Sequence, residues 1–171
     1  GDLAAPYDQA QALEQFLLGY TAKVGGTEAG VTGITATFSS GFGAPFLPRP
    51  SSDYARLLAK KLEKHSTSVW LINTGWSGGP AGSNSGKRMP LSLTRSLVDR
   101  ILSGSMDAES WQREPVFGLL HPIQVDGIED RYLDPRSAWI DNNAYDVAAR
   151  QLANQFAEKL NKHSSVLDSL A

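Results

Sequence analysis

Residues 69–80 read Val69-Trp70-Leu71-Ile72-Asn73-Thr74-Gly75-Trp76-Ser77-Gly78-Gly79-Pro80, and Gly86-Lys87-Arg88-Met89-Pro90 follows after a short gap. The opening apolar run is typical of a strand that is buried on both faces. Glycine, serine and proline then dominate residues 75–86, which predicts a flexible loop without regular secondary structure. Open α/β sheets place ligands in such loops, at the carboxyl ends of buried strands. The stretch therefore predicts an α/β (mixed α+β) fold with a candidate binding loop.

Composition alone does not decide what this loop does. Glycine-rich loops are as often mobile connectors as ligand cradles, so both interpretations stay open. The spacing does not match the phosphate-binding motif G-x-x-x-x-G-K-[ST], because Gly82 to Gly86 is one residue short and Arg88 stands where Ser or Thr is required. The spacing does not fit G-x-G-x-x-G either.

Apolar residues at helical spacing predict helices near residues 8–18, 52–64, 92–103 and 143–162. We expect Asp8 to cap the first helix and Gly19 to end it, and Ser51 or Ser52 to cap the second. The expected strands are 32–38, 69–72 and 116–120, and residues 164–171 are expected to fray. The residues expected to face inward are Leu13, Phe16 and Leu17 in the first helix, Tyr54, Leu57, Leu58 and Leu62 in the second, Leu91, Leu93, Leu97, Val98, Ile101 and Leu102 in the third, and Tyr145, Ala148, Ala149, Leu152, Phe156 and Leu160 in the last.

Composition and charge are those of an ordinary globular chain. The 171 residues include 41% hydrophobic and 20% charged residues, with a formal net charge of −2 and no cysteine. We expect one domain and no nucleic-acid partner, because no basic surplus is present. The apolar runs are too short to cross a membrane and the first residues do not resemble a signal peptide, so a cytoplasmic location is expected.

Two further features have ordinary structural explanations. His121 could act as an acid or base, but a single histidine before a proline is more often structural. The lysines at positions 60, 61 and 64 lie near the end of a predicted helix, where positive charge interacts favourably with the helix dipole. Neither feature by itself indicates a site.

A series of sequence blocks resembles one enzyme family in order and spacing across most of residues 8 to 163. The blocks are Phe16–Val24 with Gly26-Thr27-Glu28, Thr35–Ser39, Phe42–Leu47, Asn73–Trp76, Gly86–Pro90, Pro115–Gly118 and Leu133-Asp134-Pro135-Arg136. Together they resemble the C-terminal part of ATP-dependent phosphoenolpyruvate carboxykinase. The resemblance implies that the fold is the C-terminal part of the mononucleotide-binding domain of that enzyme.

The resemblance also implies a set of nucleotide contacts. In that family the arginine of the Gly-Lys-Arg block, the residue after it and a threonine six positions past the arginine contact the adenine nucleotide; here they are Arg88, Met89 and Thr94. The residue types suit the role, because a guanidinium can stack on a purine, methionine adapts to an apolar face and a threonine hydroxyl donates or accepts. The implied cofactor is ATP, and the implied partners are ATP and ADP.

The family's catalytic and metal-binding residues are implied to lie upstream of this segment. Its phosphate-binding loop, its metal-binding lysine, histidine and aspartate, and its carboxylate-binding arginines have no counterpart here, so no catalytic or metal-binding residue is predicted in residues 1–171. The complete enzyme would convert oxaloacetate and ATP to phosphoenolpyruvate, ADP and CO2 with Mg²⁺ and Mn²⁺. Residues 1–171 are thus expected to be a single C-terminal, nucleotide-side segment, roughly the last third of a larger two-domain enzyme, and inactive without the upstream part on the same or another chain.

Some positions depart from the family pattern. They include Gly33-Ile34, Ser40-Gly41 and Pro48-Arg49-Pro50. The departures leave a second hypothesis open, in which the chain is a non-catalytic split or truncated paralogue that serves as a structural or binding subunit.

Overall fold

A computed structural model describes residues 4–24, 34–106 and 110–170. The strands are β1 (Ala4–Tyr7), β2 (Tyr20–Val24), β3 (Ile34–Phe38), β4 (Val69–Ile72), β5 (Trp76–Ser77), β6 (Lys87–Arg88), β7 (Trp111–Arg113) and β8 (Leu120–Pro122). The helices are α1 (Gln9–Leu18), α2 (Ser51–His65), α3 (Leu91–Leu102), α4 (Asp130–Leu133), α5 (Asn142–Leu160) and α6 (Ser164–Asp168). This mixture of helices and small sheets confirms the predicted mixed fold class.

The chain divides into two compact units. The first unit is Gly1–Pro6 with Trp70–Ala153, and the second is Tyr7–Val69 with Asn154–Ala171. The expectation that residues 1–171 act as a single segment stays a prediction. The block Gly26-Thr27-Glu28 and residues 32 and 33 of the expected strand lie outside the described residues.

In the second unit, α1 has the ends that its sequence predicts. The Asp8 carboxylate accepts a 2.8 Å hydrogen bond from the amide of Gln11, and the Gln11 side chain accepts one of 3.2 Å from the amide of Asp8. This reciprocal pair is a capping box, which satisfies amides that the helix itself cannot pair. Gly19 ends the helix at φ 51°, in the left-handed region that glycine adopts without strain.

The buried residues in the core of the second unit come from α1, α2 and α6, and α5 contributes a partly buried side chain. Leu17, Ala55 and Val166 are buried together, and Phe16, Leu160 and Leu167 pack against them. Val166 belongs to α6, so the prediction that residues 164–171 fray is wrong for the described part of that segment. Burying the apolar side chains of this short helix stabilises its docking.

The structure corrects two details of α2. Its N-cap is Pro50, with φ −54°, and neither Ser51 nor Ser52 caps it; the Pro50 carbonyl accepts a 3.0 Å bond from the amide of Asp53. The buried positions are Ala55 and Ala59, whereas Leu57 is exposed. The predicted face is therefore wrong at Leu57 only, because Tyr54, Leu58 and Leu62 are half-buried beside the two buried alanines.

The β2–β3 pair carries an aromatic cluster. The strands are antiparallel with Tyr20 opposite Phe38, and these rings pack against Phe156 at centroid distances of 5.1 to 5.8 Å. Burial raises the pKa of the Tyr20 hydroxyl. The Lys159 ammonium lies 5.4 Å from the centre of the Phe38 ring, which places its charge over an aromatic face.

Two short 3-10 turns follow β3 and leave phenylalanines at the surface. They are Ser40–Phe42 and Ala44–Phe46. Gly41 and Phe42 both have positive φ, 66° and 58° respectively, which is uncommon for a bulky residue. Phe42 is 55% exposed and Phe46 is 87% exposed. We call residues 39–47 the phenylalanine segment.

The strand β4 pairs with β1. All four β4 residues are half-buried, so the prediction that this strand is buried on both faces is wrong. The buried cluster comprises Met89, Leu97, Met106, Val125, Ile128 and Leu133, with Trp70, Ile72, Leu93 and Ile101 packed against it. The helix α3 contributes Leu93, Leu97 and Ile101, which recur at the spacing of one helical face. Leu91 and Leu102 lie outside this face and are exposed, contrary to the prediction.

The predicted strand at 116–120 is wrong. The carboxylate of Glu114 accepts hydrogen bonds from the amides of Val116, at 2.9 Å, and Phe117, and this holds residues 115–117 in a turn. The strand β8 begins only at Leu120 and pairs with β7. His121 lies in β8, 8% exposed, and its Nδ1 atom has no hydrogen-bond partner among the described residues.

The turn predicted at Asp134-Pro135-Arg136 is present. The Asp134 carboxylate accepts a 3.0 Å bond from the amide of Arg136, and the Arg136 guanidinium forms two bonds, of 2.8 and 3.1 Å, to Asp146 of α5. This hydrogen-bonded pair holds the pKa of the Asp146 carboxyl below its usual range.

In α5 the buried residues include Tyr145 and Ala149, whereas Ala148 is exposed, contrary to the prediction. Within the described residues, no helix has the length and apolar character needed to cross a membrane.

Candidate nucleotide-side site

The loop that follows β4 in the first unit is a hairpin. The strands β5 and β6 are antiparallel, with Trp76 opposite Arg88 and Ser77 opposite Lys87. The amide of Met89 donates a 3.0 Å bond to the carbonyl of Gly75, and the Asn73 side chain accepts a 3.0 Å bond from the amide of Gly75. The prediction that residues 75–86 contain no regular structure is wrong only at Trp76 and Ser77, which form β5, whereas residues 78–86 contain no helix or strand.

The connection between these strands is closed by its own hydrogen bonds. The hydroxyl of Ser83 donates to the Pro80 carbonyl at 2.7 Å and accepts from the amide of Gly86 at 3.0 Å. The amide of Ser83 also donates to Pro80, at 3.1 Å. One serine side chain thus bridges the two sides of the connection and supports the hairpin that carries Arg88.

Close backbone approach explains why glycine is used at the base of this connection. A Cβ atom on Gly86 would lie 2.2 Å from the Pro80 carbonyl oxygen, far inside van der Waals contact. A Cβ atom on Gly79 would lie 2.5 Å from the Ser85 hydroxyl. At the tip, Gly82 has φ +80° but open space around it. The glycines at the base therefore permit tight packing, and the one at the tip permits the turn.

Arg88 lies at the exposed edge of this hairpin. Its guanidinium carbon is 5.4 Å from the centre of the Trp76 ring, a distance at which a cation is attracted by an aromatic face. The side chain of Arg88 is exposed, whereas Trp76 is half-buried. The structure thus presents a positive group with donors available to a ligand.

The other two predicted contact residues have different surroundings. Met89 is only 7% exposed and belongs to the buried cluster of the first unit, so most of its side chain is occupied by packing. Thr94 is half-buried in α3, and its amide lies 3.4 Å from the Pro90 carbonyl. The three residues thus have different described contacts: Arg88 with the Trp76 ring, Met89 with the buried cluster and Thr94 with the Pro90 carbonyl. Arg88 and Met89 are neighbours in the sequence, but they do not share these contacts.

A narrow cleft beside the hairpin contains aromatic and cationic side chains that the sequence did not single out. Its lining includes Trp76, Met89, Arg131, Tyr132 and Trp139, and it encloses only about 20 Å³, room for about one water molecule. The Arg131 guanidinium lies 4.8 Å from the centre of the Tyr132 ring. The sequence signal that could have indicated this cleft is the basic–aromatic pair Arg131-Tyr132. The sequence does not show, however, that this pair lies close to Trp76.

The side chains around the hairpin edge are a cation and aromatic rings. Within residues 4–24, 34–106 and 110–170, no group of three or more His, Asp or Glu side chains is arranged to hold a metal ion.

Comparison with known proteins identifies the family. The sequence profile of phosphoenolpyruvate carboxykinase matches residues 4–131. The chain belongs to the phosphoenolpyruvate carboxykinase family. It is 48% identical over 159 residues to the phosphoenolpyruvate carboxykinase (ATP) of Brucella suis biovar 1 (strain 1330), a match that covers 93% of this chain and 29% of the relative. It is also 48% identical over 155 residues to the phosphoenolpyruvate carboxykinase (ATP) of Thermus thermophilus, covering 91% of this chain and 29% of the relative.

A third phosphoenolpyruvate carboxykinase (ATP), from Paracoccus denitrificans, is 45% identical over 159 residues, covering 93% of this chain and 30% of that relative. The chain therefore spans less than a third of the length of these curated relatives, and it matches a C-terminal part of them. The resemblance seen in the sequence blocks is confirmed. The carboxykinase profile extends across β4, the hairpin and α3, which places Arg88, Met89 and Thr94 inside the matched region.

Proposed function

We propose that this chain forms the adenine side of the ATP site of an ATP-dependent phosphoenolpyruvate carboxykinase. The complete enzyme would convert oxaloacetate and ATP to phosphoenolpyruvate, ADP and CO2. The observation that carries the proposal is Arg88, which is exposed at the edge of a closed hairpin and lies 5.4 Å from the Trp76 ring centre. Membership in the family supports the substrate class.

The chemistry of the three residues fits the base of a nucleotide unequally. The guanidinium of Arg88 can cover a purine face or donate to its ring nitrogens. The hydroxyl of Thr94, one turn into α3, can donate or accept at the base edge. Met89 is 7% exposed, so its contribution is restricted to the small exposed part of its side chain or its carbonyl. We therefore assign most of the binding energy to Arg88.

The remaining requirements of the reaction are assigned to the upstream part of the enzyme. Bound Mg²⁺ or Mn²⁺ would neutralise the phosphate charge during transfer, and we propose that its ligands lie outside this segment. We further propose that the upstream part covers the phenylalanine segment, because Phe42 and Phe46 are 55% and 87% exposed. Exposed apolar surface often marks a protein–protein interaction site when it is contiguous, and these two rings are four residues apart in one short segment.

Activity and nucleotide binding test the proposal separately. The purified 171-residue chain should not decarboxylate oxaloacetate with ATP and Mn²⁺ above background, and mixing with the upstream part of the enzyme should restore turnover. Calorimetric titration of ADP into the complete enzyme should then show weaker binding for Arg88→Ala. Turnover by the chain alone would refute the assignment of the catalytic residues to another segment.

A non-catalytic paralogue is the second candidate. It is favoured by Ser40-Gly41 and Pro48-Arg49-Pro50, where the sequence departs from the family pattern. In the structure the Ser40 hydroxyl donates a 2.7 Å bond to the Leu17 carbonyl, so this substitution has a structural use that requires no catalysis. Mixing with the upstream part distinguishes the two: a folded complex that binds ADP but shows no turnover would support the paralogue.

A further inference from the structure

We propose that Trp76 is a positioning residue for Arg88. Its indole holds the guanidinium so that the opposite side meets the adenine ring, giving a stack of indole, guanidinium and base. This inference rests on the proposed nucleotide function of Arg88. It adds a residue to which the sequence blocks gave no role.

The backbone holds the two side chains together. Trp76 and Arg88 are directly opposite in the antiparallel β5–β6 pair, and directly opposite residues project from the same face of a sheet. The hydrogen bond from Met89 to Gly75 lies immediately beside this pair and fixes its register. The backbone pairing of the hairpin therefore contributes to the 5.4 Å distance between the guanidinium carbon and the indole centre, together with the side-chain conformations.

The two side chains differ in exposure. Trp76 is half-buried and lines the narrow cleft with Met89 and Tyr132, whereas Arg88 is exposed. A long exposed arginine loses considerable rotamer freedom when it binds a ligand. An anchored indole removes part of that freedom beforehand, so less is lost on binding.

An aromatic neighbour also leaves the donors of Arg88 available. Other arginines of the described structure are paired with carboxylates, Arg49 and Arg56 with Asp53 and Arg136 with Asp146. Such a pair occupies the N–H groups of the guanidinium. The Arg88 guanidinium instead lies over the indole ring of Trp76, and within the described part of the chain no ion pair with a carboxylate occupies its N–H groups, so they can donate to a base. The pair is therefore suited to orienting Arg88 without neutralising it.

The first measurement does not depend on nucleotide binding. The ¹⁵N relaxation of the Arg88 Nε–H group in the 171-residue chain reports how ordered the guanidinium is. We expect restricted motion in the wild type and greater motion in Trp76→Leu, with an intermediate value in Trp76→Phe, which keeps an aromatic face. Trp111→Leu is the matched control, because it removes another half-buried indole of the same unit that packs against Trp70 and does not line this cleft, and it should leave Arg88 unchanged.

The second measurement is ADP affinity in the complete enzyme. Exposed cation–π contacts predict a loss of about two- to fivefold for Trp76→Leu. The same change should have no further effect when made in Arg88→Ala, because Trp76 acts through Arg88. Affinity for inorganic tripolyphosphate, which has no base, should be the same in wild type and Trp76→Leu. Thermal unfolding of each variant shows whether it remains folded.

The outcomes separate this inference from the function on which it rests. If Arg88→Ala weakens ADP binding but Trp76→Leu changes neither the affinity nor the motion of Arg88, the positioning role is refuted and the proposed function stands. If Arg88→Ala leaves ADP affinity unchanged, the proposed function fails even where Trp76 orders Arg88. Equal losses of ADP and tripolyphosphate affinity in Trp76→Leu would also refute the stack, since the effect would not involve the base.

Discussion

The hairpin at residues 75–88 and the phenylalanine segment at residues 39–47 are both short, glycine-containing stretches that include blocks typical of the family. In the hairpin, the Ser83 hydroxyl forms hydrogen bonds with Pro80 and Gly86 that close the connection, and the Arg88 cation is exposed at the edge. The phenylalanine segment contains two successive residues with positive φ, Gly41 and Phe42, and leaves apolar rings at the surface. Similar composition therefore produces an exposed cationic edge in one place and an exposed apolar surface in the other.

The largest expected effect concerns the packing that supports the phenylalanine segment. In Gly19→Ala the new Cβ would lie 1.7 Å from the Ser39 carbonyl oxygen, at φ +51°. Overpacking against backbone, added to left-handed strain, should lower the free energy of unfolding by about 3 kcal/mol or more. Chemical denaturation measures this. Gly43→Ala is the control, because its φ of −161° lies outside the left-handed region and its nearest contact is 4.0 Å; equal losses in both variants would contradict the explanation.

The next effect concerns closure of the hairpin. In Gly86→Ala the Cβ clash with the Pro80 carbonyl should open the connection and destabilise the chain by about 1–3 kcal/mol. Amide hydrogen exchange of Met89 should become faster, because its bond to Gly75 depends on the hairpin. Gly82→Ala has open space and only left-handed strain, so it should leave this amide protected. Unchanged exchange in Gly86→Ala would show that the base of the hairpin is not tightly closed.

A smaller effect is expected on ligand binding at the hairpin edge. Arg88→Ala should weaken ADP binding in the complete enzyme by about 1–2 kcal/mol, or roughly 5- to 30-fold, because stacking and edge contacts are lost. Thr94→Val should cost less, since it removes one hydroxyl and keeps the side-chain shape. Neither variant should change stability greatly. Calorimetric titration tests both, and a larger loss for Thr94→Val than for Arg88→Ala would reverse our assignment of the main contact.

The smallest effect on stability is expected at the apolar surface. Phe46 is 87% exposed, so Phe46→Ala should change the free energy of unfolding of this chain by no more than about 0.5 kcal/mol. The same change should weaken association with the upstream part of the enzyme, which analytical ultracentrifugation can measure. Ile140→Ala, at a residue 91% exposed in the other unit, is the matched control. Undiminished association in Phe46→Ala would exclude this residue from the interface.

Local signals in the sequence predicted α1 accurately. Asp8 and Gln11 form the cap, and Gly19 ends the helix in the left-handed region, because capping depends on residues within one turn. The signals failed where a distant or unusual partner decides the structure. Glu114 converts part of the predicted strand at 116–120 into a turn, and burial of Val166 orders a helix that was expected to fray.

The candidate site was predicted only in part. The resemblance singled out Arg88, Met89 and Thr94. It did not predict that the Met89 side chain is buried in the hydrophobic cluster of the first unit. The pairing of Trp76 with Arg88 depends on the register of the hairpin across its long connection, which periodicity does not specify. Both features come from tertiary contacts and not from residue type.

The open tip and closed base of the hairpin have a consequence for how its length can vary. A Cβ atom on Gly82 would have nothing within 4 Å, whereas Cβ atoms on Gly79 and Gly86 would each meet backbone or hydroxyl atoms at less than 3 Å. Insertions or deletions at the tip would therefore leave the position of Arg88 unchanged, while the same changes at the base would displace it. A peptide tag or a circular-permutation break placed at Gly82 therefore offers a site for attaching reporters close to Arg88 while the base of the hairpin stays closed.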